Sequence, residues 1–133
     1  MPLPFSAAGR TLLVVDDQPG DLAHLVSLFS AEGYRVLAAT DGEAALGLAA
    51  RRPTPDIVVV DADMPGMDGF ELLQRLRQDA VTAAMPAIVT IPAGDRAFEA
   101  RATAAGANAC AAKPFSATAL LHHVRHHLAG AAG

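Results

Sequence analysis

The chain has 133 residues, ten basic and fourteen acidic side chains, and a formal charge of −4. That length suits a single domain that buries its core without staples. No apolar run approaches the roughly 20 residues that span a bilayer, even at 52% hydrophobic content inflated by alanine. A single cysteine, Cys110, excludes an internal disulfide and a multi-thiolate zinc site. No run of Lys or Arg is present to neutralise a phosphate backbone, so direct nucleic-acid binding is not expected. The opening MPLPFSAAGR lacks the basic start and apolar stretch of a secretory signal, so residues 1–9 read as an extension and the location as cytoplasmic.

Short β-branched runs alternate with longer amphipathic segments in a pattern of five βα units. TLLVV (11–15) is the first predicted strand. A helix follows from Pro19 to Glu32, with Leu22, Leu25, Val26 and Phe29 on one face and Gly33 as its stop. YRVLAA (34–39) is a weaker strand expected near an edge, and Asp41 caps a helix to about Arg51. DIVVV (56–60) is the most apolar strand, as a central parallel strand buried on both faces should be.

Asp68 followed by Glu71 fits a capping box for the third helix, whose stripe is Phe70, Leu73 and Leu76. AIVTI (87–91) is the fourth strand, and residues 95–105 form an alanine-rich helix anchored through Phe98. NACAA (108–112) is the fifth. SATALLHHVRHHL (116–128) is the last helix, expected to pack through Ala117, Leu121, Val124 and Leu128, with residues 129–133 as a frayed tail.

Parallel βα units bring the C-terminal ends of all strands to one edge of the sheet, where ligands bind. Strand one ends in Asp16 and Asp17, strand three leads to Asp61 and Asp63, and strand five leads to Lys113. Crowded carboxylates repel one another unless a cation sits among them. Hard oxygen ligands select Mg2+ or Mn2+. A carboxylate beside such a metal is a competent nucleophile toward a phosphoryl group, and a lysine offers a point charge to its oxygens.

The segments VVDDQ, VVVDADMPGMDGFELLQRLR and GANACAAKPF resemble the acidic pair, the phosphoacceptor strand and the lysine-proline motif of the response-regulator receiver domain. The resemblance covers about residues 10–128. It implies a flavodoxin-like α/β fold: a doubly wound, five-stranded parallel sheet in the order 2-1-3-4-5, for which a receiver is a standard example. It implies that Asp61 accepts phosphate from a histidine kinase or a histidine phosphotransfer protein. Asp17 and Asp61 would ligate Mg2+ directly, Asp16 through water and Asp63 through its backbone carbonyl, while Lys113 contacts the phosphoryl group. The implied output is a protein partner, with no membrane attachment, from a monomer or weak dimer. Such a domain is no enzyme beyond its own phosphorylation and dephosphorylation.

Other residues read more simply. Asp68 is a cap, and Asp63 adds negative charge at the mouth of the site. In HHVRHH, His122 with His126 and His123 with His127 stand four residues apart, a spacing able to hold a transition metal. Their place off the apolar stripe, near a helix C-terminus, reads as a solvated face. Cys110 reads as a small buried side chain rather than a redox centre, since no resolving cysteine exists.

Two positions depart from the family pattern. Receivers carry a Thr or Ser at the end of strand four and an aromatic residue three before the lysine. Here the latter is Cys110. Counting five residues from Pro86, or back from Gly106 and Lys113, reaches Ile91 for the hydroxyl position. Thr90 is the alternative, and strand alternation forbids both from facing the site. Pro92 follows and offers no N–H.

A second expectation is therefore a degenerate receiver that acts as an interaction module independent of phosphorylation. A remote third is an Asp-x-Asp phosphatase, from Asp61 and Asp63, although such enzymes carry that motif on their first strand.

Overall fold

The structure is a computed structural model that describes residues 7–132. Residues 1–6 of the expected N-terminal extension and Gly133 of the expected tail lie outside the described residues. The elements run β1 (Thr11–Val15), α1 (Pro19–Ala31), β2 (Arg35–Ala39), α2 (Gly42–Ala49), β3 (Ile57–Asp61), α3 (Gly69–Gln78), β4 (Ala87–Pro92), α4 (Arg96–Ala105), β5 (Ala109–Lys113) and α5 (Ala117–Ala132). All strand pairings are parallel, in the order β2-β1-β3-β4-β5. This is the doubly wound order expected from the sequence.

The apolar strands explain the middle of the sheet. Every residue of β1 and β3 is buried, whereas β2, at one edge, is largely open. Side chains alternate between the two faces. Leu13, Val15, Val58, Val60, Val89 and Ile91 face one way, over α2, α3 and α4. Leu12, Val14, Ile57, Val59 and Ile88 face the other, over α1 and α5.

Capping follows the sequence. The Asp41 carboxylate accepts from Ala44 N, Asp68 from Glu71 N, and Asp95 from Ala97 N and Phe98 N. Gly106 ends α4 at φ +103°, where a Cβ would be strained.

Two helix faces differ from expectation. In α5 the buried stripe is Leu120, Val124 and Leu128, while Ala117 is exposed and Leu121 only half-buried. The larger Leu120 side chain reaches the α1 side of the core, and its spacing with Val124 and Leu128 keeps one face inward. In α4 the closest packing falls to Ala102 and Ala105, and Phe98 is half-buried against Phe70, with ring centroids 5.7 Å apart. Small side chains let α4 approach the sheet closely. α5 also continues to Ala132, through residues expected to fray, as alanine favours helix.

Candidate functional site

The C-terminal edge of the sheet gathers the predicted acidic residues and the lysine. Asp16, at the end of β1, is fully buried, and Asp61, at the end of β3, is 4% exposed. Asp16 Oδ1 accepts from Gln18 N at 2.9 Å, and Asp61 Oδ1 accepts from Asp63 N at 3.1 Å. These turns aim the remaining oxygens inward. Lys113, the last residue of β5, donates from Nζ to Asp61 Oδ2 at 3.2 Å and Asp16 Oδ2 at 3.0 Å.

A third acceptor, Asp21 Oδ2, stands 2.9 Å from the same Nζ. Sequence reasoning missed Asp21, which lies in the first turn of α1 and carries no motif of its own. Its acidic character at a helix N-terminus has a ready local explanation in the helix dipole. Only the three-dimensional path of α1 shows that it meets β5.

One oxygen from each of Asp16, Asp17 and Asp61 lies within 4.8 Å of the others. Asp17 Oδ1 is buried and, among the described residues, has no hydrogen-bond partner. A buried carboxylate oxygen left without a donor is costly, and a cation ligand would satisfy it. The donor set therefore fits a hard divalent ion.

Burial pushes the Asp61 carboxyl up to about 6; the Asp63 N–H lowers it, the Asp16 charge raises it, and Lys113 lowers it. Burial alone would lower Lys113, but its bonds to Asp21 and Asp16 and the charge of Asp61 outweigh that and raise it above the ordinary lysine range. The lysine is thus held cationic.

A cavity of about 570 Å3 opens onto this cluster, lined by Asp17, Gln18, Asp21, Asp61, Asp63, Pro92, Ala93, Lys113, Pro114 and Phe115. Among the described residues no hydroxyl side chain lines it. Thr90 is 1% exposed, paired in register with Asp61 on β3 and Ala111 on β5, and its Oγ1 has no hydrogen-bond partner among the described residues. Ile91 turns to the opposite face, packs in the α3–α4 core, and borders a separate cavity of about 520 Å3 shared with Cys110. Neither residue of the pair lines the acidic cavity, and Pro92 does. Burial and then the Glu99 charge push the Cys110 thiol up, so it stays protonated.

The remaining expectations are structural in geometry. Asp68 caps α3. His122 and His126 stack with centroids 6.1 Å apart, away from the acidic cavity. Burial and neighbouring imidazoles lower His123 and His127, which keeps them neutral. Gly69 is required by close packing: a Cβ there would stand 2.9 Å from Ala62 Cα and closer still to the Asp61 carbonyl oxygen. It lets α3 start directly against the end of β3.

Comparison with known proteins agrees with this architecture. The response regulator receiver domain family matches residues 12–125. Protein PilH of Pseudomonas aeruginosa is 33% identical over 119 residues, covering 90% of this chain and 98% of PilH. Response regulator PleD of Caulobacter vibrioides is 36% identical over 114 residues, of which this chain spans 25% of the length. A putative response regulator from Chloroflexus aurantiacus superimposes with a TM-score of 0.87 at 35% identity, covering 90% of this chain and 98% of its own. Chemotaxis protein CheY4 of Vibrio cholerae gives 0.83 at 27%, covering 90% and 98%. Shared sheet order, matched motifs and full-length similarity place this chain in the response regulator receiver domain family of two-component signalling.

Proposed function

We propose that this receiver takes a phosphoryl group on Asp61 from a histidine kinase or histidine phosphotransfer protein and passes the signal to a protein partner. The observation that carries the reading is the Asp61 carboxylate itself. It is 4% exposed, borders the acidic cavity, and has Lys113 Nζ 3.2 Å from Oδ2. In the transfer an Asp61 oxygen forms a bond to phosphorus as the donor's P–N bond breaks. The donor nitrogen leaves with that electron pair and takes up a proton, and Asp61 becomes a mixed anhydride. Lys113 supplies a fixed positive charge to the transferred oxygens.

Asp16, Asp17 and Asp61 would hold Mg2+ or Mn2+, with the Asp63 carbonyl as a further ligand. When bound, the ion supplies charge neutralisation for the incoming phosphoryl oxygens. The protein residues orient the nucleophile. Asp63 N–H fixes one Asp61 oxygen, and Lys113 fixes the other.

Incubation with phosphoramidate and Mg2+, followed by intact mass measurement, tests the reading. The expected result is a gain of one phosphoryl group that disappears in Asp61→Asn. No gain, or a gain that survives the substitution, overturns it.

One observation favours a second reading, in which the domain binds its partner regardless of phosphorylation. By spacing, Ile91 and Cys110 stand where receivers carry the strand-four hydroxyl and the strand-five aromatic through which they report phosphorylation, and both line the second cavity. Amide NMR spectra of the phosphorylated protein discriminate the two. Shifts confined to residues around Asp61 support the second reading, whereas shifts that reach α4 and β5 support the first.

A further inference from the structure

We propose that Asp21 is a positioning residue that pins the Lys113 ammonium over the phosphoryl site. The inference rests on the reading of Asp61 as phosphoacceptor. Lys113 is the only cationic side chain lining the cavity among the described residues, and no hydroxyl lines it. The interaction of a transferred phosphoryl group with protein side chains therefore depends heavily on where one flexible side chain stands.

Lys carries three N–H donors on a four-carbon stem with considerable rotamer freedom. Its three acceptors come from three elements: Asp16 after β1, Asp21 in α1 and Asp61 on β3. When Asp61 is phosphorylated, one donor must turn to a phosphoryl oxygen. Asp16 and Asp21 then remain as two fixed points, and they define the ammonium position as neither could alone. Phe115 limits motion on another side, with Nζ 5.5 Å from its ring centroid.

Asp21 is suited to this task by its anchorage. Its backbone is held by the first turn of α1, opened by Pro19 with its preset φ. The side chain is 41% exposed, so its charge is less strongly desolvated than that of fully buried Asp16. Removing it leaves Lys113 tethered by Asp16 alone after transfer, and preorganisation is lost.

The test compares wild type, Asp21→Ala and Asp21→Asn for the rate of phosphorylation by phosphoramidate, with the Lys113 ammonium signal followed by 15N NMR. Asn retains an acceptor oxygen while losing the charge. The expected result is at least a fivefold slower rate in Asp21→Ala, a rate within threefold of wild type in Asp21→Asn, and a Lys113 signal broadened only in the alanine variant. Equal rates in wild type and Asp21→Ala overturn the proposal, as does equal impairment of both variants. A wild type that accepts no phosphoryl group overturns the reading of Asp61, and this proposal with it.

Discussion

A buried carboxylate whose pKa is raised carries a stability cost with a definite pH dependence. Asp61 titrates near 6 in the folded chain against 3.8 for the free side chain, chiefly because of burial. Between those values the folded state binds more protons than the unfolded state, so stability falls as pH rises through that window. Below about 4 the cost is absent, and above about 6 it is fully present. Asp61→Asn removes the titrating group and keeps one acceptor oxygen, enough for Asp63 N–H. Its amide NH2 replaces the oxygen that accepts from Lys113, which retains Asp16 and Asp21. In metal-free buffer the substitution is expected to stabilise the fold by roughly 2–3 kcal/mol at pH 7.5 and by little at pH 4. Urea unfolding at both pH values measures it, and equal stability of the two proteins at pH 7.5 would contradict the argument. The nucleophile is thus held at the expense of stability, as functional sites often are.

At the scale of elements, Arg77 ties α3 to two loops. Its guanidinium donates to Met85 O at 2.7 Å, Gly106 O at 2.9 Å, Ala83 O at 3.2 Å and Asn108 Oδ1 at 3.2 Å. The turn entering β4 and the turn entering β5 are thereby fixed to one helix. Burial lowers the Arg77 pKa, but a guanidinium remains charged. Arg77→Ala should destabilise the domain by about 2–4 kcal/mol, because part-buried carbonyls lose a charged donor. Arg77→Lys should restore little of this, since an ammonium lacks the planar fork that reaches both turns. Chemical denaturation of the three proteins checks both expectations. The sequence shows Arg77 only as a basic residue near a helix end, and its reach depends on where two distant turns arrive. The strands, by contrast, were legible because apolar runs such as IVVVD have few alternatives to a buried central strand. The inward face of α5 was not, since Leu120 and Leu121 are adjacent and equally apolar, and tertiary packing chooses between them.

Across the whole molecule, the sheet order converts distant sequence positions into one site. Asp16, Asp17, Asp61 and Lys113 were readable because every parallel strand ends on the same edge. Asp21 was not, because it reaches that edge from a helix. The result is an imbalance: Asp16, Asp21 and Asp61 contact one lysine, Asp17 crowds against Asp16 and Asp61, and among the described residues Asp17 Oδ1 is buried without a donor. A divalent cation relieves this repulsion only in the folded state, so its binding is linked to stability. With Mg2+ at 100 times its dissociation constant at pH 8, the fold should gain about 2.7 kcal/mol. Because metal-free Asp61 titrates near 6, protons compete with the ion. At pH 5.5 about a quarter of Asp61 is ionised, so the same Mg2+ concentration should stabilise the fold by roughly 0.8 kcal/mol less than at pH 8, with a correspondingly smaller rise in Tm. Asp17→Asn should reduce the Mg2+-induced rise at pH 8, since the amide offers a neutral and weaker oxygen. Thermal melts by circular dichroism, with and without Mg2+, measure all three. A Tm rise of equal size at both pH values, or one unchanged by Asp17→Asn, would mean that the ion binds elsewhere than in the Asp16, Asp17 and Asp61 cluster.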